Sequence, residues 1–446
     1  MSIRYAVKAF VVGVLMLVLL IPLQMINGTI NERASYRQQA VAKVADSFAG
    51  AQVLDGPVLV VPYVESHKET SLDAFGKPVE QLKREAGRWI FFPKTLALDG
   101  QLIPDTRNIG LHEVRVYELR STLAAKFDAQ VPSDPNGERE LAAPYLSFSI
   151  ADVRGFVGLP ALQVDGKPMA LAQGNGGHRE GRGLHATLAS ARPGQRLQFA
   201  LRFDSKLGGT ESLQVVPIAD SNRVTLRSSW PHPQFAGRFL PHARQVTGKG
   251  FSATWDVSSL ASAAQAQYLQ GVDDATLETL QLGLVEPVNI YSQADRASKY
   301  GILFVLLTFV GFFMFELLKQ LPIHPIQYGP VGLALALFFL LLLSLSEHWP
   351  FWLAYLAAAG ACIGLIGTYL AAVLRSAARG WGFAAGLTLL YGALYGLLVS
   401  EDNALALGSL MLFAILAAIM LATRRIDWYA AQQATSPPPL PSAQGA

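Results

Sequence analysis

Five apolar runs, roughly residues 300–318, 328–345, 351–374, 381–399 and 404–423, crowd the last third of the chain. Each approaches the ~20 residues that a helix needs to cross the hydrocarbon of a bilayer. Their separators are short and hold prolines or charges, as in Lys319-Gln-Leu-Pro-Ile-His-Pro325 and Ser346-Glu-His-Trp-Pro350. Connections this short make neighbouring helices antiparallel, so the separators fall alternately on the two sides of a membrane.

A further apolar stretch, residues 9–26, follows Arg4 and Lys8 near the start of the chain. It exceeds the usual core of a secretory signal, and no small-x-small cleavage site lies around Ile26-Asn27-Gly28-Thr29. The pattern therefore predicts a retained first helix and six spans in all. Residues 30–51 mix Glu32, Arg33, Arg37 and Lys43 with apolar positions, which reads as an amphipathic helix continuing outward.

Beyond Gly50 the period changes. Short alternating or β-rich runs recur at residues 58–63, 88–92, 96–98, 113–117, 145–150, 197–203 and 223–226. Asp99-Gly, Asp165-Gly, Pro193-Gly and Gly208-Gly punctuate them as hairpin turns would, which predicts antiparallel sheets packed as a sandwich. Residues 261–284 read as partly helical. The predicted organisation is a first transmembrane helix (1–27), a large mainly β domain (28–298), a five-helix bundle (299–426) and a disordered tail (427–446) rich in Ser, Pro, Ala and Gln.

Charge orients this arrangement. Lys319, Arg375, Arg379, Arg424 and Arg425 fall on one side of the bundle, while the loops opposite hold Glu347, Glu401 and Asp402 with no Lys or Arg. By the positive-inside pattern both termini are cytoplasmic and the β domain faces away from the cytosol, against the count of Arg296 and Lys299 at the outer end of the second span. The net charge of +3 is spread along the chain and makes no case for nucleic acid. The one cysteine, Cys362, lies within a span, so the β domain has no disulfide and depends on apolar burial.

Candidate chemistry is sparse. His178, His185, His232 and His242 show neither helical i, i+4 pairing nor cysteine partners, and read as hydrogen-bonded or solvated rather than as metal ligands. Gly174-Asn-Gly-Gly-His-Arg-Glu-Gly-Arg-Gly183 has the composition of a phosphate cradle but runs into a strand-like segment, so it reads as a loop. No nucleophile elbow or other catalytic constellation stands out, and no catalytic residue, metal or cofactor is assigned. In the spans, Glu316 lies three residues before Lys319 near the cytoplasmic end, a spacing that predicts an ion pair at headgroup level. Gly360/Gly364, Gly382/Gly386 and Gly392/Gly396 are spaced for close helix approach, with homo-oligomerisation left open.

In the β domain Leu54-Asp-Gly-Pro-Val-Leu-Val-Val-Pro-Tyr63, Ser229-Trp-Pro-His-Pro-Gln-Phe-Ala-Gly-Arg-Phe-Leu-Pro241 and Gly250-Phe-Ser-Ala-Thr-Trp255 are specific in combination. In the membrane part Phe315-Glu316, Ile323-His-Pro-Ile-Gln-Tyr-Gly-Pro-Val-Gly332 and Thr423-Arg-Arg-Ile-Asp-Trp-Tyr429 join them. On these strings the chain resembles the CreD family of Gram-negative inner-membrane proteins. His324, Arg425 and Asp427 fall in these strings and join Glu316 and Lys319 as candidate functional or structural residues of the membrane part. The resemblance implies a non-enzymatic protein under a two-component system of the Cre type, tied to envelope integrity, the response to β-lactams and tolerance of certain colicins.

The proline-rich segment after Ser229 suits partner contact, which makes Trp230, His232, Phe235 and Phe239 candidate contact residues; alternatively the three large rings plug the sandwich core. The leading expectation is an interaction protein in the lipid bilayer whose outer domain meets an unknown envelope protein. A transporter or lipid-handling protein, which would need a polar path through the helices, is the first alternative, and an outer-domain enzyme acting on envelope polymer is the second.

Overall fold

The computed structural model describes residues 3–72, 78–136, 138–177, 182–273, 276–284, 290–319, 323–400 and 404–423. The chain forms two compact units, Met1–Tyr36 with Val288–Ala446, and Arg37–Pro287.

The first unit is helical. Helix α1 spans Ile3–Ser47 without a break, so the predicted first span and the amphipathic helix after it are one element. Pro22 lies inside it, and Thr29 Oγ1 returns a hydrogen bond to the Met25 carbonyl, 3.2 Å away, so Asn27-Gly28-Thr29 continues the helix. A short helix, α2, spans Ala264–Leu269 in the other unit. The remaining helices are α3 (Ile290–Lys319), α4 (Tyr328–Ser346), α5 (Phe351–Val373), α6 (Ala377–Val399) and α7 (Ala404–Thr423). Helix α3 starts ten residues before the apolar run does, because backbone hydrogen bonding continues through polar Ser292, Gln293 and Asp295.

Among the described residues five stretches are long and apolar enough to cross a membrane: Phe10–Ser47, Tyr291–Met314, Pro325–Ser346, Phe351–Val373 and Ala377–Val399. Large apolar side chains face outward from them, as lipid requires; Phe10, Leu17, Met25, Leu356 and Leu389 are more than half exposed. Trp349, Trp352 and Trp381, about half exposed, stand at helix ends, where amphipathic rings meet headgroups. Inward, Leu19, Leu23, Ile26 and Ile30 of α1 recur every three or four residues and join Phe304, Phe309 and Phe312 of α3 and Phe338 and Phe339 of α4 in one core.

Glycine position is where the helical reading fails. A Cβ at Gly360, Gly364, Gly382, Gly386, Gly392 or Gly396 would meet nothing within 4 Å, so these pairs face outward rather than toward a neighbouring helix of the chain. The close approaches fall instead at Gly332, where a Cβ would strike Leu19 and Phe309, and at Gly380, where it would strike the Ala371 backbone. Spacing marks a small-residue stripe without marking which face of the helix carries it.

The second unit is built of two sheets. Among the described residues one has nine strands, in the order Pro233–Gly237, Leu280–Leu284, Ser212–Val215, Gln52–Leu72, Tyr145–Ile150, Gly183–Thr187, Ala172–Gln173, with Pro78–Phe91 and Arg139–Leu141 also paired to Gln52–Leu72. The other has eight, in the order Ala243–Thr247, Gly250–Ser258, Ser221–Ser228, Thr95–Ile109, His112–Gln130, Arg196–Thr210, Ala161–Val164, Lys167–Met169. Both contribute to one core: Leu59, Leu146 and Leu213 of the first pack with Leu98, Leu119 and Leu226 of the second, and the rings of Phe148 and Phe203 stack at 4.8 Å. Strict alternation of buried and exposed residues along Thr95–Leu102 is the pattern of a half-buried strand.

Pairing is not wholly antiparallel. Gln52–Leu54 runs parallel to Leu213–Val215, and Ser221–Ser228 runs parallel to Thr95–Leu102. Of the four turn signals, Asp165-Gly166, with φ of 48° and 74°, and Pro193-Gly194 are turns. Asp99-Gly100 and Gly208-Gly209 lie inside strands. They are small because side chains crowd them: a Cβ at Gly208 would sit 2.6 Å from the Phe48 ring, and one at Gly100 would sit 2.9 Å from Leu119 and Leu226. The region read as partly helical divides into α2 and the strand Leu280–Leu284.

Candidate functional site

In the helical unit the polar side chains gather at few places. Phe309, Phe312 and Glu316 recur on one face of α3, and that face meets Tyr328 at the start of α4: both phenylalanine rings lie against its ring, at 5.5 and 4.6 Å, and its hydroxyl donates to Glu316 Oε2 at 2.8 Å. The other carboxylate oxygen takes Lys8 Nζ of α1, which also donates to the Ile323 carbonyl. Glu316 is 6% exposed and is thus a buried carboxylate near the end of α3, a costly group unless paired. Here it binds one cation and one phenol, and it joins α1, α3 and α4.

Lys8 is the described cation on Glu316, and the predicted Glu316–Lys319 pair falls on a side chain outside the described residues. Lys319 closes α3, but its side chain lies outside the described residues, as do Arg425 and Asp427. His324 caps the turn that leads into α4: its Nδ1 accepts from the Ile326 N–H at 3.3 Å, and Gln327 closes the reciprocal bond at 3.2 Å. It is exposed, and its ring is bonded to backbone.

Deeper in the bundle, Tyr355 donates to the Tyr391 carbonyl at 2.7 Å, Tyr391 to Cys362 Sγ at 3.1 Å, and Cys362 reaches the Ala334 carbonyl at 3.4 Å. Aromatic rings enclose this chain: Phe304 and Phe338 lie 4.6 and 4.7 Å from Tyr391. These bonds satisfy buried hydroxyls inside a packed aromatic core. At the far end of α4, Arg33 of α1 stands 3.7 Å from Glu347.

In the β-rich unit the segment after Ser229 divides by exposure. Trp230, Phe235 and Phe239 are half-buried and pack against the core, whereas His232 is exposed. Phe235 meets Phe251 and Trp255 edge-on at 5.8 and 5.7 Å, and Trp255 Nε1 donates to the Phe239 carbonyl at 3.1 Å. Trp230 carries the Arg115 guanidinium on its face at 4.1 Å and donates to the His232 carbonyl at 3.0 Å. The rings thus hold the segment in place, and Gln234, Arg238 and Leu240 join His232 on its exposed side.

A second polar assembly holds the C-terminal end of α1. Arg154 donates to the carbonyls of Asp46 and Ala45, at 2.6 and 3.2 Å, and forms a fork to Asp152 at 2.9 and 2.6 Å. A guanidinium there supplies donors to helix carbonyls that have no partner within the helix. Asp152 also accepts from the Gly50 N–H at 3.0 Å, and the fully buried Gln52 ties its backbone to Gly208. The Arg154 guanidinium holds the Asp152 carboxyl at about 2, below its ordinary range. Beside this clamp lies an open cleft of about 620 Å³ lined by Asp46, Arg154, Gln173 and Arg182.

Sequence reasoning had no signal for Lys8 as partner of Glu316, since 308 residues separate them, nor for Arg154 as a cap 108 residues from Asp46. Of the histidines, His185 donates to the Gly174 carbonyl at 2.8 Å, His232 and His242 are exposed, and His178 lies outside the described residues. Among the described residues no three His, Cys, Asp or Glu side chains gather as metal ligands would.

Comparison with known proteins agrees with the chain's organisation. The chain is 37% identical over 419 residues to the inner membrane protein CreD of Escherichia coli (strain K12), covering 93% of this chain and 91% of that protein. Among solved structures, an M1 zinc metallopeptidase from Deinococcus radiodurans overlaps 43% of this chain and 41% of its own, at 11% identity and a TM-score of 0.20, too little to bear on fold or function. The family described as Inner membrane protein CreD matches residues 4–429. That family is named as an inner-membrane protein and not as an enzyme, which agrees with the multiple apolar helices. The chain belongs to the CreD family of inner-membrane proteins.

Proposed function

We propose that this chain is a non-enzymatic protein of the inner membrane that supports cell-envelope integrity and the response to envelope stress, β-lactams and colicins included, through partner contacts of its β-rich domain. In this reading six helices cross the membrane, α7 being the sixth, with both termini cytoplasmic. The β-rich domain lies between the first two crossings on the periplasmic side. The positive-inside pattern of the short loops supports that orientation.

One observation carries the choice of an interaction protein over a transporter. Glu316, the buried carboxylate near the end of α3, is engaged by Lys8 and Tyr328, and the space between α3, α4, α5 and α6 is filled by Phe304, Phe338, Tyr355 and Tyr391. A transport path needs polar groups exposed to a cavity, whereas here they hold helices together.

Photocrosslinking from His232, Gln234, Arg238 and Leu240 in living cells tests the reading, because these positions are exposed while the neighbouring rings anchor the segment. A reproducible envelope protein caught from several of them is the expected result. Capture of nothing reproducible overturns the partner-contact reading. Cysteine accessibility in the β-rich domain checks the orientation separately: labelling by a membrane-impermeant reagent only after inner-membrane permeabilisation would overturn it.

A further inference from the structure

The strands Gln52–Leu72 and Pro78–Phe91 form a long antiparallel ribbon whose pairing runs from Leu59↔Phe91 to Leu72↔Pro78 without a register shift. Near its base the first strand has other neighbours, Tyr145–Ile150 and then Arg139–Leu141 at Tyr63–Glu65. Beyond that point the two strands have only each other, and Pro78–Phe91 pairs with no third strand among the described residues. A two-stranded ribbon without further support is marginally stable in water. An open edge of this length is a template for another strand.

The direction of the unpaired groups follows from bonds on the opposite edge. Ser66 N–H donates to Glu138 at 2.8 Å and the Pro62 carbonyl accepts from Ala142 at 2.9 Å, so both residues turn their backbone groups away from the second strand. Their partners Arg84 and Arg88 therefore occupy non-hydrogen-bonded sites of the ladder and turn their own groups to the open edge. Counting in twos, Leu82, Glu80 and Pro78 do the same. Pro78 lacks an N–H and fits such a site at the strand's start.

The edge is complementary to itself about one residue. An antiparallel copy centred on Leu82 sets Leu82 against Leu82, Glu80 against Arg84 twice, and Pro78 against Ala86. By register these alternate positions fall on one face of the strand, so an apolar position at the axis is flanked by two pairs of positions with opposite formal charge. Shifting the centre to Lys83 or Arg84 opposes like charges at the axis instead. Leu82 is 59% exposed in the single chain. We propose that the Pro78–Ala86 edge binds a second copy of this chain, forming a two-fold dimer through a continuous four-stranded ribbon.

The test is crosslinking of the full-length chain in its native membrane with a short, membrane-permeant bis-maleimide, which reads the contact on whichever side it lies. In the proposed dimer the two copies of residue 82 face each other, whereas those of residue 85 stand about 20 Å apart along the strands. Leu82→Cys is expected to give several-fold more covalent dimer than Glu85→Cys or the wild type, whose Cys362 is buried. In the Leu82→Cys background, Glu80→Arg or Arg84→Glu alone should lower the yield and the two together restore it. Equal yields from positions 82 and 85, no rescue by the charge swap, or an adduct with a different protein overturns the proposal, provided each variant accumulates at the wild-type level.

Discussion

The two units of the chain treat charge in opposite ways. In the helical unit Lys8 and Glu316 have side chains 12% and 8% exposed, and their attraction acts without water to screen it. On the β-rich unit, pairs such as Arg227–Asp99, Arg223–Asp256 and Arg202–Asp204 lie 2.7 to 2.8 Å apart but stay 39–70% exposed. Direct contact between opposite charges therefore has different consequences in the two units. A buried pair makes each partner indispensable to the other, whereas an exposed pair exchanges one hydrated state for another.

The largest effect expected from this contrast is at Lys8. Lys8→Met leaves Glu316 in the bundle without its cation and should cost about 3–5 kcal/mol, read as loss of accumulated full-length protein and a lowered melting temperature in detergent. Adding Glu316→Gln should recover much of that loss, since the uncompensated charge is then gone. Equal stability of Lys8→Met and wild type would remove the contrast.

Next is a steric comparison within the helices. Gly380→Leu pushes a side chain into the Ala371 backbone and should cost about 1–3 kcal/mol, whereas Gly360→Ala, which meets nothing within 4 Å, should be neutral or slightly stabilising. Thermal unfolding of the purified variants separates the two.

A smaller effect is expected where α1 ends in the β-rich unit. Because Arg154 lowers the Asp152 carboxyl to about 2, the contribution of this group is fully present above the ordinary carboxylate range and lost as pH falls toward 2. Asp152→Asn should therefore melt a few degrees below wild type at pH 7, and the gap should close in acid. A gap that is constant with pH would show that the carboxylate's charge is not what holds the clamp. Smallest of all, Arg227→Gln should change stability by no more than about 0.5 kcal/mol, because its pair with Asp99 is more than half exposed on both sides.

Much of the fold is legible without coordinates because it is locally encoded. Apolar runs long enough to span lipid become α3 to α7, and alternation such as Leu96, Leu98 facing in with Ala97, Asp99 facing out becomes a half-buried strand. The candidate contact segment was legible as a proline-rich run with aromatics. Which of its residues anchor and which remain exposed depended on Phe251 and Trp255, one strand away.

By itself the sequence determined the long apolar helices, alternating strands such as the one through Leu96 and Leu98, and which stretches lipid can accept, since hydrogen bonding and apolar periodicity act between residues a few positions apart. Tertiary structure alone decided that Lys8 meets Glu316, that Gly208 is a crowded strand position rather than a turn, and that the glycine pairs of α5 and α6 face outward. Those outcomes depend on contacts between distant segments. Their free energy exists only once the segments have been brought together, so no local window of residues can display it.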